Sequence, residues 1–193
     1  MSLTLPYDLS GNDLIVNSLS TGSATPGGVG TQITATAAQL NAVANDGSRF
    51  VAAGSTKTLS SANNKQVIAL DTATGSVVTL PAASGSGLQF TFYVKTLATS
   101  NSHIVYTASA NGVGGSDVFE GIIPGTRVDS GNAVLGFAAQ STSNTITLNR
   151  STTGSVTKGE TFTVQDVATN VWLVKDAFLS STGAAFATPF SHT

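Results

Sequence analysis

From about residue 50 to the end of the chain, apolar side chains tend to recur at every second position. Phe90, Phe92 and Val94 alternate with Gln89, Thr91, Tyr93 and Lys95, and Phe162 and Val164 alternate with Thr161, Thr163 and Gln165. A period of two sends successive side chains to opposite faces, so these segments read as strands buried on one face. Further strands are expected at 66–70, 76–80, 103–107, 117–122, 133–138, 145–148 and 171–175. The stretches between them, 71–75, 81–87, 110–116, 124–125, 129–132 and 151–159, are rich in turn formers. Many short strands separated by such turns predict a mainly β domain over residues 49–193, an antiparallel β-sandwich or barrel-like fold. The long interleaved helices of a βαβ fold have no place in this pattern.

Ahead of residue 49 the pattern changes. In residues 1–30, Leu3, Leu5, Leu14, Ile15, Val16 and Leu19 are scattered among Pro, Gly, Ser and Asn. Apolar beads without a core, a turn signal at 10–13 and a Gly-rich linker at 21–30 read as an extended N-terminal arm. Leu3, Leu5, Leu14, Ile15 and Val16 are its candidate docking residues, on the chain's own domain or on a neighbouring subunit or shell. Residues 31–48 hold the one expected helix, over 34–46, opened by a capping box of Thr36 and Gln39 and stopped by Asn45-Asp46-Gly47. Ile33, Ala37, Leu40 and Ala44 are spaced 4, 3, 4, the stagger of a narrow coiled-coil seam. So short a seam cannot hold chains together alone, and it reads either as a face lying on the β domain or as a contact at an oligomer axis. Residues 180–193 are small, with Phe186 and Phe190 as anchors, and are expected to run extended along a surface.

Charge bounds what such a scaffold can bind. Only 9% of residues are charged and the net charge is −2, against about 25% charged in an average soluble domain. There is no general electrostatic pull toward nucleic acid or anionic membrane, and neither is expected as a partner. Affinity must come from shape and apolar contact. The first residues lack a basic segment followed by an apolar stretch, so no secretory export is expected. No apolar run reaches the roughly 20 residues of a spanning helix, so the chain is expected to be soluble. The absence of Cys excludes disulfides, thiolate metal sites and Cys nucleophiles.

The residues that could carry chemistry do not assemble into a motif. His103 lies in a strand-like run and His192 next to the last residue, while Ser84-Gly-Ser86-Gly lacks the first glycine of a nucleophile elbow. Two carboxylates, Asp117 and Glu120, follow a Gly-rich turn but are too few for calcium. Lys57, Lys65, Lys95, Lys158 and Lys175 are dispersed, and no Gly-rich stretch has phosphate-loop spacing. Trp172 reads as a core or interface anchor. His103 reads as packed or solvated, with a replacement by Ala costing almost nothing. No catalytic, cofactor-binding or metal-ligating residue is assigned, an enzyme is not expected, and neither is a small-molecule ligand.

Several elements nevertheless resemble known proteins. Ile33-Thr-Ala-Thr-Ala-Ala-Gln-Leu-Asn41 resembles the T-A-A-x-L-N element of tailed-phage virion proteins, including fibres and head decoration proteins. Val77-Val-Thr-Leu-Pro-Ala-Ala-Ser-Gly-Ser-Gly87 followed by Phe90-Thr-Phe-Tyr-Val94 is similar to the T-V-T-L-P-A-A-T-G-S-G and F-x-F core of small phage structural proteins. Ser143-Asn-Thr-Ile-Thr-Leu-Asn-Arg-Ser-Thr-Thr-Gly-Ser155, Val167-Ala-Thr-Asn-Val-Trp-Leu-Val174 and Phe186-Ala-Thr-Pro-Phe-Ser191 resemble their later elements and ending. The resemblance spans about residues 31–191 and departs at Arg150, where the pattern has a small residue, and at Asn170, where it has Gly. It implies a capsid cement or decoration protein of a tailed phage. Such a module is β-rich, commonly a homotrimer, made in the host cytoplasm and seated on the outer capsid. Its expected partners are the major capsid protein and its own copies. Because T-A-A-x-L-N is shared with fibres, the alternative is a tail-fibre or receptor-binding module that engages carbohydrate.

Overall fold

The computed structural model describes residues 20–21, 31–32, 49–110, 115–130 and 133–193. The chain divides into two units, residues 1–46 and 47–193. In the first, strands β1 (Ser20–Thr21) and β2 (Thr31–Gln32) pair antiparallel, Ser20 opposite Gln32 and Thr21 opposite Thr31. The helix expected over 34–46 lies outside the described residues, and so does most of the arm.

The second unit is mainly β. Its strands are β3 (Phe50–Ala52), β4 (Thr56–Thr58), β5 (Gln66–Leu70), β6 (Val77–Thr79), β7 (Gln89–Val94) and β8 (His103–Tyr106), then β9 (Val118–Arg127), β10 (Val134–Ala138), β11 (Thr145–Leu148), β12 (Thr161–Ala168), β13 (Val171–Ser181) and β14 (Phe190–Ser191). They form a seven-stranded sheet in the order β10-β9-β13-β12-β7-β5-β3 and a five-stranded sheet in the order β14-β11-β8-β6-β4. Residues of both sheets contribute to one hydrophobic cluster, which is the sandwich arrangement the alternation predicts. Among the described residues, no helix is long and apolar enough to cross a membrane.

Strand direction is where the expectation needs correcting, because the sheets are mixed rather than antiparallel throughout. From β3 to β8 the chain alternates between sheets: odd strands enter the larger one and even strands the smaller. Each return to a sheet therefore runs the same way as before. β3 pairs parallel to β5 and β5 to β7, while β4 pairs parallel to β6 and β6 to β8. A crossover through the opposite layer replaces the helix that usually connects parallel strands. The second half adds antiparallel pairings, β12 with β7 and β13, β11 with β8 and β14, and β10 with β9, while β13 pairs parallel to β9.

The alternating residues become the core as expected. Ile68, Phe90, Phe92, Phe119, Phe162, Val164 and Trp172 of the larger sheet, and Val78, Val105, Ile146 and Leu148 of the smaller, are fully covered. Phe92 stacks on Phe162 with ring centroids 4.8 Å apart, and Phe90 leans on Trp172 at 5.7 Å. Trp172 is thus a core residue.

Pro124-Gly125 was expected to be a turn, yet β9 runs straight through it. Proline is tolerated because the β9–β13 ladder is interrupted between the Val174 and Leu179 pairings, so its missing N–H breaks no regular bond. Gly125 is required there for a different reason: a Cβ would come within 2.6 Å of the Phe186 ring.

Candidate functional site

Among the described residues four ionisable groups are buried, and each is held by protein partners. Asp166, on β12, faces the Ser84-Gly85-Ser86 loop. Its carboxylate accepts the amide N–H groups of Ser84 at 3.0 Å, Gly85 at 2.7 Å and Ser86 at 2.9 Å, and the Ser86 hydroxyl at 2.6 Å. Burial opposes ionisation of this carboxyl. The hydroxyl and amide of Ser86 and the amides of Gly85 and Ser84 outweigh it, and hold the group below its ordinary value. Glu160, before β12, holds the preceding turn: it accepts the amides of Ser155, Val156 and Thr157 and the Ser180 hydroxyl. Asp117 accepts the amide of Ala83 at 2.9 Å. These acids close loops.

His103 is fully buried, and both its ring nitrogens are used. Nδ1 accepts the Ser76 amide at 3.0 Å, which leaves the proton on Nε2, donated to the Thr96 carbonyl at 2.8 Å. Burial lowers its pKa, with the Thr96 carbonyl, Asp71 and Glu160 opposing only in part. The expectation that Ala at this position would cost almost nothing is therefore corrected: two buried partners would be left unmatched.

One part of the outer surface is apolar. β10 is one edge of the larger sheet, and β9 lies between it and β13. Cross-strand partners share a face, so Val134 lies beside Thr126, Gly136 beside Pro124, and Ala138 beside Ile122. The inner face is set by Ile123, which is buried, and by Phe137, whose ring leans on Phe186 at 5.8 Å. Ile122 and Val134 point the other way and are 59% and 60% exposed. Leu179 of β13 pairs with Gly125 and is buried, which turns the preceding Phe178, 48% exposed, outward. Ile122, Pro124, Val134, Gly136, Ala138 and Phe178 thus form one uncharged outer face. Glu120 lies two residues beyond Ile122. Arg127 sits at the opposite end, its Nε 2.6 Å from the Asp129 carboxylate, and this partner holds the Asp129 carboxyl well below the usual range.

A shallow cleft of about 270 Å³ lies among Asp117, Ser141, Thr142, Asn144, His192 and Thr193. Its polar groups bond to one another: Asn144 Nδ2 donates to the Thr193 carbonyl at 3.1 Å, and the Thr193 amide donates to Asn144 Oδ1 at 3.0 Å. Among the described residues, no group of three or more His, Cys, Asp or Glu side chains could hold a metal ion. The docking residues read from sequence, Leu3, Leu5, Leu14, Ile15 and Val16, and the seam residues Ile33, Ala37, Leu40 and Ala44, lie outside the described residues. The outer face of β9, β10 and β13 was not anticipated. No family model, curated protein or solved structure matches this chain.

Proposed function

We propose that this chain is a capsid cement or decoration protein of a tailed phage, a homotrimer that attaches to the major capsid protein and stabilises the shell. The observation that carries this reading is the chemistry left for binding. The buried acids and His103 are occupied in holding loops, while an uncharged apolar face stands exposed on the larger sheet. A rigid two-sheet module with such a surface associates through shape and apolar contact, which suits a site in a large assembly. The sequence resemblance adds support at its two departures. Arg150 and Asn170 both have φ of 65°, the left-handed conformation in which a small residue or Gly would sit with least strain.

In this reading the arm is the attachment device. Leu3, Leu5, Leu14, Ile15 and Val16 gain burial on the shell, and three arms on one trimer raise the effective concentration of each. The test is a deletion of residues 1–22. The truncated chain should keep the far-ultraviolet circular dichroism of the β domain and lose its retention on undecorated capsids in a sedimentation assay. Saturation of capsids at the wild-type concentration would transfer attachment to the β domain, and loss of the β spectrum would return the arm to the chain's own core.

A further inference from the structure

We infer that the outer face of β10, β9 and β13 packs against the same face of a second copy of this chain, about a twofold axis running along β9. This rests on the reading of the chain as self-associating, and adds a contact separate from the seam at Ile33, Ala37, Leu40 and Ala44.

The argument is one of shape. At one level of the sheet Pro124 on β9 pairs with Gly136 on β10, and Phe178 on β13 directly precedes the Leu179–Gly125 pairing where the β9–β13 ladder resumes, so the three follow one another across three strands. Phe178 is a half-exposed ring at one end of the row. Gly136 has no side chain, and a Cβ there would lie 3.3 Å from Cγ2 of Ile122, so the other end is a hollow walled by Ile122. A twofold axis along the middle strand exchanges the two ends. It seats each copy's Phe178 over the other's Gly136, with Pro124 meeting Pro124 and Ile122 meeting Ile122 on the axis. A knob and its hole on one surface, equally spaced from a central strand, make the face complementary to itself, which is what an isologous contact requires.

Area favours a copy over another occupant. The exposed parts of Ile122, Val134 and Phe178 with the small residues between them come to on the order of 400–500 Å² per copy, and roughly twice that for a pair approaches the ~1,000 Å² at which specific interfaces begin. The patch itself holds no charge, while the axis along β9 also brings the exposed Glu120, two residues from Ile122, toward Glu120 of the second copy at the rim, where solvent screens the pair. Two outer faces at the usual sheet spacing of about 10 Å would bury these side chains as the interior buries its own.

The experiment is sedimentation velocity of the full chain across a concentration series, with Phe178→Ser and Gly136→Val as variants and Val167→Ser, at an exposed residue of β12, as the control. The smallest species should double in mass as concentration rises. Phe178→Ser removes the knob and Gly136→Val fills the hole, so each should raise the concentration of half-association at least about tenfold, while Val167→Ser leaves it unchanged. Thermal melts run beside them check folding, and Phe178→Ser should melt as wild type because the ring is outside the core. No doubling up to about 100 μM, or doubling that neither variant weakens, overturns the inference. The mass of the smallest species answers separately for the trimer, and retention on capsids answers for the cement reading, so each can fail without the others.

Discussion

On the inner side of the seven-stranded sheet Phe90, Phe92, Phe119, Phe162 and Trp172 are all covered, whereas on the outer side Ile122, Val134 and Phe178 stand about half exposed. The polar groups divide in the same way. Inside, Asp166 and Glu160 each gather several amides; outside, the stretch between Glu120 and the Arg127–Asp129 pair is uncharged. The inner side is finished within one chain, and the outer side is not. Substitutions on the inner side should therefore cost folding, and those on the outer side should cost association alone.

The largest effect belongs to Trp172→Ala, which empties a fully covered site and should destabilise by about 3–5 kcal/mol in denaturant titration. A cost below about 1 kcal/mol would mean that the inner side is less complete than the contrast requires. Asp166→Ala comes next. It leaves the amides of Ser84, Gly85 and Ser86 without their acceptor, and a loss of about 3 kcal/mol is expected. Because the folded carboxyl titrates below its ordinary value, its contribution is present above that value and is lost as pH falls through the folded pKa.

His103→Ala should cost about 2 kcal/mol through the unmatched Ser76 amide and Thr96 carbonyl. Its pH signature is distinct. The folded pKa lies below the ordinary 6.5, so the wild type keeps this stability above that pH and loses it on acidification through the folded value, a leg absent from the variant. Arg150→Gly relieves a left-handed backbone at φ of 65° and should stabilise by up to about 1 kcal/mol. Smallest is Ile122→Ser on the outer face, whose melting should stay within about 0.5 kcal/mol of wild type. A large loss there would place Ile122 in the finished interior and erase the distinction between the two sides.

Much of the fold was legible because a period of two survives wherever one face is buried. The segments 66–70 and 145–148 were read at the bounds that β5 and β11 occupy. β3, β4 and β14 escaped notice, since two or three residues show no period by themselves, whereas β6, equally short, sits inside the run read at 76–80. Parallel pairing was invisible for a different reason: it follows from the chain changing sheets between strands, a long-range fact that no local pattern records. Pro124-Gly125 misled because a turn signal and a ladder interruption call for the same residues.

The outer face left one mark that could have been used. Ile122-Ile123, Val134-Leu135 and Phe178-Leu179 are apolar doublets within strands, and a doublet must send one side chain to each face. By contrast, nothing local marks Asp166 as a loop-closing acid, because its amide partners at Ser84, Gly85 and Ser86 are brought to it by the whole fold, whereas Glu160 closes the turn at 155–157 just before it.

The proposal of a shell protein is tested most directly by copy number, measured by quantitative mass spectrometry of purified particles against the major capsid protein. A cement protein should be present in hundreds of copies per particle, in a fixed ratio to the shell subunit. A few to a few dozen copies would contradict the account and assign the chain to a tail or spike.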